Sequence, residues 1–349
     1  MGLRPLLIVI ACLASSSCYV MQAAGGQLEV LRQSRPIERV LADPTTPATT
    51  RRGLELTVAA RAFAERELGL PASRSYRRYA DLGRPYVVWN VVATPEFSVA
   101  PRRWCFPVAG CVAYRGYFRE QSARDAALRL AIRGDDVAVG GVPTYSTLGH
   151  LPDPVYSSML AWRDERLVGT IFHELAHELL YVAGDSEFNE AFASVVEEEG
   201  IRRWLDAEGR SQELRRFQAA SRREVDFARL LRDTRRRLQQ LYGSALDDER
   251  KRIEKQREFG RLKFSYEQLR GGWDGYRGYD AWFARPLNNA HLASVATYYD
   301  CVPGLQRELA AAGSLPAFYE RARVLARLGR RERTQSLCPA DAAQAQRLR

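Results

Sequence analysis

The stretch Asp164–Glu197 reads DERLVGTIFHELAHELLYVAGDSEFNEAFASVVE and contains the pattern H-E-x-x-H at its centre. Residues four apart on an α-helix share a face and lie about 6 Å apart along its axis, so His173 and His177 can reach one metal ion. Glu174 follows the first histidine and can stand beside the metal without binding it, where a general base for water belongs. The pattern therefore predicts His173 and His177 as zinc ligands and Glu174 as the catalytic base.

The residues around the motif favour a buried helix. Apolar residues recur there at helical spacing: Ile171, Leu175, Leu179 and Val182. This stripe can pack into a core while the two histidines face a cleft. Asp164 and Glu165 supply the negative charge that a first helical turn favours, and Gly184 is a suitable residue after the last turn. We expect a helix from about Asp164 that stops at Gly184.

A catalytic zinc site needs a third protein ligand and an open fourth position. The segment after Gly184 is amphipathic and predicts a second helix, which returns beside the end of the first. This arrangement favours Glu190 as the third ligand. Glu187, one turn earlier, and Glu197, two turns later on the same face, remain alternatives.

A zinc hydrolase also needs a group that stabilises the oxyanion as it forms. Several residues could supply the hydrogen bond, and the sequence does not choose among them: Tyr145, His150, His291, Tyr298 and Tyr299. Taken singly, His150 and His291 are more often structural residues than catalytic ones. Ser194 can either hydrogen-bond a ligand or serve as a small packing residue.

The amino-terminal residues have the features of an export signal. Met1–Arg4 is positively charged, and Leu6–Leu13 is an apolar core too short to span a bilayer. Small residues then precede Cys18, as in the lipobox of bacterial lipoproteins, while Cys12 is an alternative acylation site. An ordinary cleaved signal without a lipid is the third possibility. We expect residues 1–17 to be a lipoprotein signal peptide and Cys18 to anchor the protein to a bacterial membrane, facing the periplasm.

The six cysteines include four outside this signal region. An even number in an oxidising compartment permits two disulfides, with three possible connectivities. Cys105 with Cys111 could close a small loop, and Cys301 with Cys338 could fasten the carboxyl-terminal segment. Metal binding by Cys105 and Cys111 is less favoured, because exported thiols tend to oxidise.

The chain has 349 residues and a net charge of +10. The charge is spread along predicted helices, which favours a solvated surface rather than nucleic-acid binding. We expect residues 18–349 to form one metallopeptidase domain of predominantly helical α+β class, with a zincin-like core and a small sheet beside the H-E-x-x-H helix. Residues 205–270 are predicted to form a long charged helical hairpin, and residues 330–349 a loose tail.

Other elements are predicted from periodicity and turn residues. Helices are expected over 26–42, 51–68 and 121–133, and from about 289 to 299. The aromatic and β-branched run Tyr86–Ala93 predicts a strand, and residues 111–118 and 136–139 are further strand candidates.

Several segments together resemble a family of proteobacterial predicted lipoproteins with a predicted zinc aminopeptidase activity. The resemblance covers nearly all of the chain after the signal and rests on Tyr19–Ala23, Gly25–Leu28, Trp104–Cys111, Tyr114–Phe118, Tyr145–Gly149, Phe172–His177, Phe188–Glu190 and Leu287–Ala290. It implies a glutamate-type zincin in which His173, His177 and Glu190 hold Zn²⁺ and Glu174 is the base. The G-x-M-E-N element with which large aminopeptidases bind substrate amines is absent, so exopeptidase action stays open.

Two functions compete at this point. The first is a zinc-dependent peptidase of the cell envelope, acting on peptide substrates. The second is a non-catalytic envelope lipoprotein in which zinc is structural or vestigial and the helical hairpin binds a partner. An open coordination position and peptide hydrolysis would distinguish the enzyme from the scaffold.

Overall fold

The computed structural model describes residues 19–338 except 20, 107–109, 148 and 296–300. In this part of the chain the fold is predominantly helical with small sheets, which confirms the predicted α+β class. None of the helices described here has both the length and the apolar character needed to cross a membrane.

Every described strand lies in the first half of the chain. This half runs through α1 (21–33), β1 (Ser34–Pro36), α2 (Ile37–Ala42), α3 (Ala48–Glu67), β2 (Arg78–Ala80), β3 (Val88–Pro95), β4 (Trp104–Phe106), β5 (Gly110–Val112), β6 (Arg115–Tyr117), α4 (Glu120–Ala131), β7 (Asp135–Val142) and β8 (Val155–Tyr156). The second half is helical: α5 (Asp164–Leu179), α6 (Ser186–Ala207), α7 (Ser211–Tyr242), α8 (Asp248–Gly271), α9 (Asp280–Phe283), α10 (Asn289–Val295), α11 (Val302–Ala312), α12 (Leu315–Arg327) and α13 (Arg330–Leu337).

Strand β3 is the centre of an antiparallel sheet with the order β6-β3-β7. Its Val91 packs in one cluster with α4, and its Val92 packs in another with α10. Successive side chains of a strand point to opposite faces, so β3 is covered on both sides and is apolar on both. A second sheet has the order β1-β2-β8, and β4 and β5 form a hairpin.

The main core surrounds α5, which packs between α3 and α6. Phe172 of α5 is fully buried, and its ring centroid lies 6.0 Å from that of Phe63 on α3. Tyr156 of β8 and Phe188 of α6 belong to the same cluster. The helix that carries the histidines is therefore held in the most buried part of the molecule.

The charged hairpin is present as α7 and α8, with a smaller core of its own. It begins at Ser211 rather than at residue 205, because α6 continues to Ala207. The hairpin is joined to the sheet: the Lys255 ammonium donates to Asp136 Oδ2 at 2.6 Å and to the Glu96 carbonyl at 2.9 Å. These contacts make it part of the folded body rather than a projecting arm.

Two predicted elements are divided in the structure. The helix expected over 26–42 is interrupted by β1, which pairs with β2. The strand expected over 111–118 is separated into β5 and β6 by a turn. Both divisions depend on pairing with distant residues, which periodicity within a segment does not report.

Both disulfides suggested by the sequence are formed, Cys105–Cys111 and Cys301–Cys338. The second joins the start of α11 to the end of α13, and residues 330–337 are helical, not loose as expected. Arg333 anchors this last helix, since it is buried and bonded to Asp185. Residues 339–349 of the predicted tail lie outside the described part.

Candidate metal centre

Helix α5 presents both histidines on one face. The two ring centroids are 4.8 Å apart and the rings are nearly perpendicular, at 83°. The side chain of His173 is 17% exposed and that of His177 is 5% exposed. Phe172, Leu175 and Ala176 on the other faces are buried, so the helix cannot rotate the histidines away without exposing the core.

Glu190 on α6 lies opposite the two imidazoles. Its Oε2 is 3.4 Å from His173 Nε2, and its Oε1 is 3.7 Å from His177 Nε2. Ligands placed tetrahedrally around zinc at about 2.0–2.2 Å are roughly 3.3 Å from one another. One ligand atom from each of the three residues fits within 4.8 Å of the others. The donor types and their spacing therefore fit a zinc ion, and the structure brings together the three residues predicted as ligands.

The turn between the two helices places Glu190. Helix α5 ends at Leu179, before the predicted stop at Gly184. The Asn189 side chain holds the connecting segment: its Oδ1 accepts from the Val182 N–H at 2.8 Å, and its Nδ2 donates to the Val182 carbonyl at 2.9 Å. This pair of bonds keeps Val182 out of the helix, and Gly184 takes a positive φ of 81° in the turn instead.

The two alternative ligands have other positions. Glu197 Oε2 lies 3.0 Å from His173 Nδ1, the ring nitrogen opposite to the one facing Glu190. A carboxylate at this nitrogen fixes the tautomer and orientation of a metal-binding histidine. Glu187 instead groups with Cys301 and Cys338, whose sulfurs are bonded to each other and hence are not thiolate ligands.

Close approach of the two helices makes the Glu197 contact possible. A Cβ added to Gly169, one turn before His173 on α5, would lie 2.8 Å from Glu197 Oε1. Any other residue at this position would therefore push the carboxylate away from the imidazole.

We expect Glu197→Gln to weaken zinc binding about 10- to 100-fold, because the amide is a weaker partner for the His173 ring and leaves its tautomer less fixed. The matched control is Glu198→Gln, since the Glu198 carboxylate accepts from Gln306 Nε2 at 2.8 Å and is not bonded to either histidine in the described structure. Competition with a chromogenic chelator measures both affinities. Equal affinities in the two variants would contradict the role of Glu197.

The loop between β7 and β8 contacts Glu174. The Ser146 hydroxyl lies within hydrogen-bonding reach of both Glu174 and Asp153. Asp153 is buried and also accepts from the Thr147 N–H at 2.7 Å and the Thr147 hydroxyl at 2.9 Å. Asp153 therefore organises the loop that supports the predicted base, a contact that the sequence analysis did not foresee.

The surroundings of the candidate metal centre shift the pKa values of its side chains in different directions. Burial raises the pKa of Glu174 to about 7. Burial and the neighbouring His173 lower the pKa of His177 to about 4, whereas for His173 the hydrogen bonds to Glu190 and Glu197 outweigh burial and raise the pKa. Burial alone would raise the pKa of Glu190, but its contacts with the histidines outweigh that effect and lower it.

The proposed oxyanion-stabilising residues have different surroundings. Tyr145 packs between Phe118 and Tyr156, and His291 Nδ1 is 2.8 Å from Asn288 Oδ1. Tyr298 and Tyr299 lie outside the described residues. The Ser194 side chain makes no hydrogen bond within the described residues.

Two phenols that the sequence analysis missed lie near the centre. The Tyr181 ring is 6.3 Å from that of His177 at 78°. Partial burial and the charge of Glu190 raise the pKa of the Tyr114 phenol, although 42% of this residue remains exposed. Tyr181 follows His177 by four residues but lies beyond the end of α5 at Leu179, and no local pattern identifies Tyr114.

Two imidazoles from one helix, with a carboxylate from the next, form the kind of donor set found in hydrolytic zinc sites. The chain belongs to the family described as "Putative aminopeptidase", whose model matches residues 18–337. No curated protein and no solved structure matches the sequence.

Proposed function

We propose that this protein is a zinc-dependent peptidase of the glutamate zincin type, and that it acts as an aminopeptidase. The observation that carries the proposal is the convergence of His173 Nε2, His177 Nε2 and the Glu190 carboxylate, with Glu174 between the two histidines in sequence. Membership of the aminopeptidase family supports the same reaction.

Each residue has a distinct task in this proposal. His173, His177 and Glu190 would hold the zinc ion, which would supply Lewis acidity to the scissile carbonyl and to water. Glu174 accepts a proton from water and later donates it to the leaving amine. Burial raises the pKa of this carboxyl towards the ambient pH, and a group that must take and return a proton works best there.

The connection between the helices supports Glu190 as third ligand despite its short distance in sequence from His177. Because α5 ends at Leu179 and α6 begins at Ser186, residues 180–185 suffice to turn the chain back. Glu190 then lies in the second turn of α6, facing α5. A longer connection would be needed only if α5 continued to Gly184.

We also propose that the protein is exported to the cell envelope and anchored through Cys18. Cys18 lies outside the described residues, so this proposal rests on the sequence of the signal region. Two intact disulfides support it, because such bonds persist in oxidising compartments and are rare in the bacterial cytosol.

Zinc removal tests the enzymatic proposal. We expect a chelator to abolish hydrolysis of peptides by the purified protein, leave its circular dichroism spectrum unchanged, and allow zinc to restore activity. A peptide mixture with free and with acetylated amino termini separates the modes of cleavage: loss of cleavage on acetylation indicates an aminopeptidase. Absence of hydrolysis by the zinc-loaded protein on all peptides would favour the non-catalytic scaffold.

A further inference from the structure

A cavity of about 640 Å³ lies between the β6-β3-β7 sheet and α4. Its wall includes three aromatic residues and three arginines: Tyr19, Trp104, Tyr117, Arg115, Arg129 and Arg133. These six residues are called the arginine pocket here. None of them belongs to the candidate metal centre, and the proposed peptidase reaction gives them no task.

The amino-terminal residues of the described chain help to form this pocket. The Gly116 N–H donates to the Tyr19 hydroxyl at 3.2 Å, and Gln22 Nε2 donates to the Gly116 carbonyl at 3.1 Å. These side chains occupy the outer edge of β6 as a neighbouring strand would. Tyr19 is thereby fixed in the pocket wall, one residue after Cys18.

The arginine pocket carries a surplus of positive charge. The Arg115 guanidinium lies 4.7 Å from the centroid of the Tyr19 ring, and its buried Nε has no hydrogen-bond partner within the described residues. Arg129 and Arg133 have no ion-pair partner among the residues that the structure describes. Asp125 is the acidic residue of the cavity wall, and it accepts from Gln121 Nε2 at 2.8 Å. An anion with several oxygens would complement this positive charge and accept from the guanidinium groups of the wall.

An exposed apolar pair lies beside these arginines. Leu128 is 61% exposed and Ile132, at the end of α4, is 77% exposed. Residues three and four apart are neighbours on a helix surface, so Ile132 adjoins both Leu128 and Arg129. A row of aliphatic side chains next to a row of arginines is the composition of a surface that enters the boundary between lipid headgroups and acyl chains.

We propose that the arginine pocket and the adjoining α4 surface bind an anionic phospholipid bilayer, with a phosphate headgroup in the pocket and Leu128 and Ile132 inserted beside it. The position of Tyr19 supports this occupant, because an acyl chain on Cys18 would enter the membrane within one residue of the pocket. A nucleic acid would match the arginines but not the aliphatic pair. The proposal concerns orientation at the membrane; its choice of occupant rests on the proposed anchor at Cys18 and does not depend on the peptidase activity.

Vesicle binding tests the proposal without the lipid anchor. The protein is the chain from residue 18 with Cys18→Ser, mixed with phosphatidylcholine vesicles that contain or lack phosphatidylglycerol. We expect sedimentation with the anionic vesicles only. Because each arginine near an anionic surface contributes about fivefold to binding, Arg129→Gln/Arg133→Gln should bind about 30-fold more weakly.

Two further double variants test whether the effect depends only on net charge and whether the ligand is a lipid or a soluble anion. Arg250→Gln/Arg257→Gln removes the same charge from exposed positions on α8 and should bind like the parent. Leu128→Ser/Ile132→Ser should also bind more weakly. If both arginine double variants lose vesicle binding equally, the effect depends only on net charge and the proposal is overturned. It is likewise overturned if inorganic phosphate binds the pocket while the aliphatic substitutions leave vesicle binding unchanged, since the ligand is then a soluble anion.

Discussion

Replacing Glu174 by glutamine is expected to lower kcat for peptide hydrolysis by about 10²- to 10⁴-fold, the usual contribution of a positioned acid or base. The amide has nearly the shape of the carboxylate but cannot accept the proton of water. Zinc content should not change, because the three proposed ligands are untouched. Steady-state kinetics on a peptide substrate and metal analysis of the same preparation measure both quantities.

The matched control is Glu178→Gln, one turn further along α5. The Glu178 carboxylate accepts from the Ser73 hydroxyl at 2.8 Å and is not one of the residues grouped around the candidate metal site. We expect its kcat to stay near that of the parent. If Glu174→Gln retains full activity with zinc bound, Glu174 is not the base, and proton transfer must be assigned to another group.

Arg333→Ala is expected to reduce the free energy of unfolding by about 3–5 kcal/mol. The guanidinium donates to Asp185 Oδ2 from Nη2 at 2.7 Å and from Nε at 2.9 Å, and both side chains are 4% exposed. Its Nη1 also donates to the backbone carbonyls of Leu325, Ala326 and Leu328. Removing it leaves the Asp185 carboxylate buried without its main partner.

Arg330→Ala provides the comparison, because Arg330 approaches the same carboxylate from solvent. Its Nε is 4.0 Å from Asp185 Oδ1 and its side chain is 58% exposed, so we expect a loss below about 1 kcal/mol. Urea unfolding of the oxidised proteins gives both values, provided that the slope with denaturant is the same. If both variants lose a similar free energy of unfolding, the buried ion pair contributes no more to stability than the exposed one.

The sequence could place the two candidate histidine ligands on one helical face because the information needed for that placement is local. The spacing of His173 and His177 fixes their common face wherever the helix lies, and a buried stripe orients that helix. The predicted disulfide partners were also found together. In each case a short pattern or a small number of cysteines restricts the possibilities.

The choice among the acidic residues of α6 could not be made by periodicity. Glu187 precedes Glu190 by three residues and Glu197 follows it by seven, so all three lie close to one helical face. Their neighbours differ because each of these residues lies beside a different part of the structure. The first turn of α6, with Glu187, lies beside the Cys301–Cys338 disulfide, whereas later turns lie beside the histidines of α5. These are contacts between segments distant in sequence.

Two structural features were missed for related reasons. Nothing near Val182 indicates that α5 should stop at Leu179, because the stabilising contact comes from the Asn189 side chain in the next helix. Residues 330–337 are arginine-rich and polar, a composition typical of a solvated tail. Their helix is stabilised by one buried arginine whose partner, Asp185, lies far away in sequence.

The pairing of Arg333 with Asp185 links the carboxyl-terminal helix to the entry of α6, since Asp185 Oδ1 also accepts from the Phe188 N–H at 3.3 Å. The short link between α12 and α13 includes the exposed Gly329. A protease that cut this link would not release α13, because the bridge to Cys301 retains it. In denaturing electrophoresis, the nicked protein would migrate as one species until a reducing agent separated the fragments. Loss of the fragment that contains α13 would then remove Arg333 from Asp185 at the start of α6.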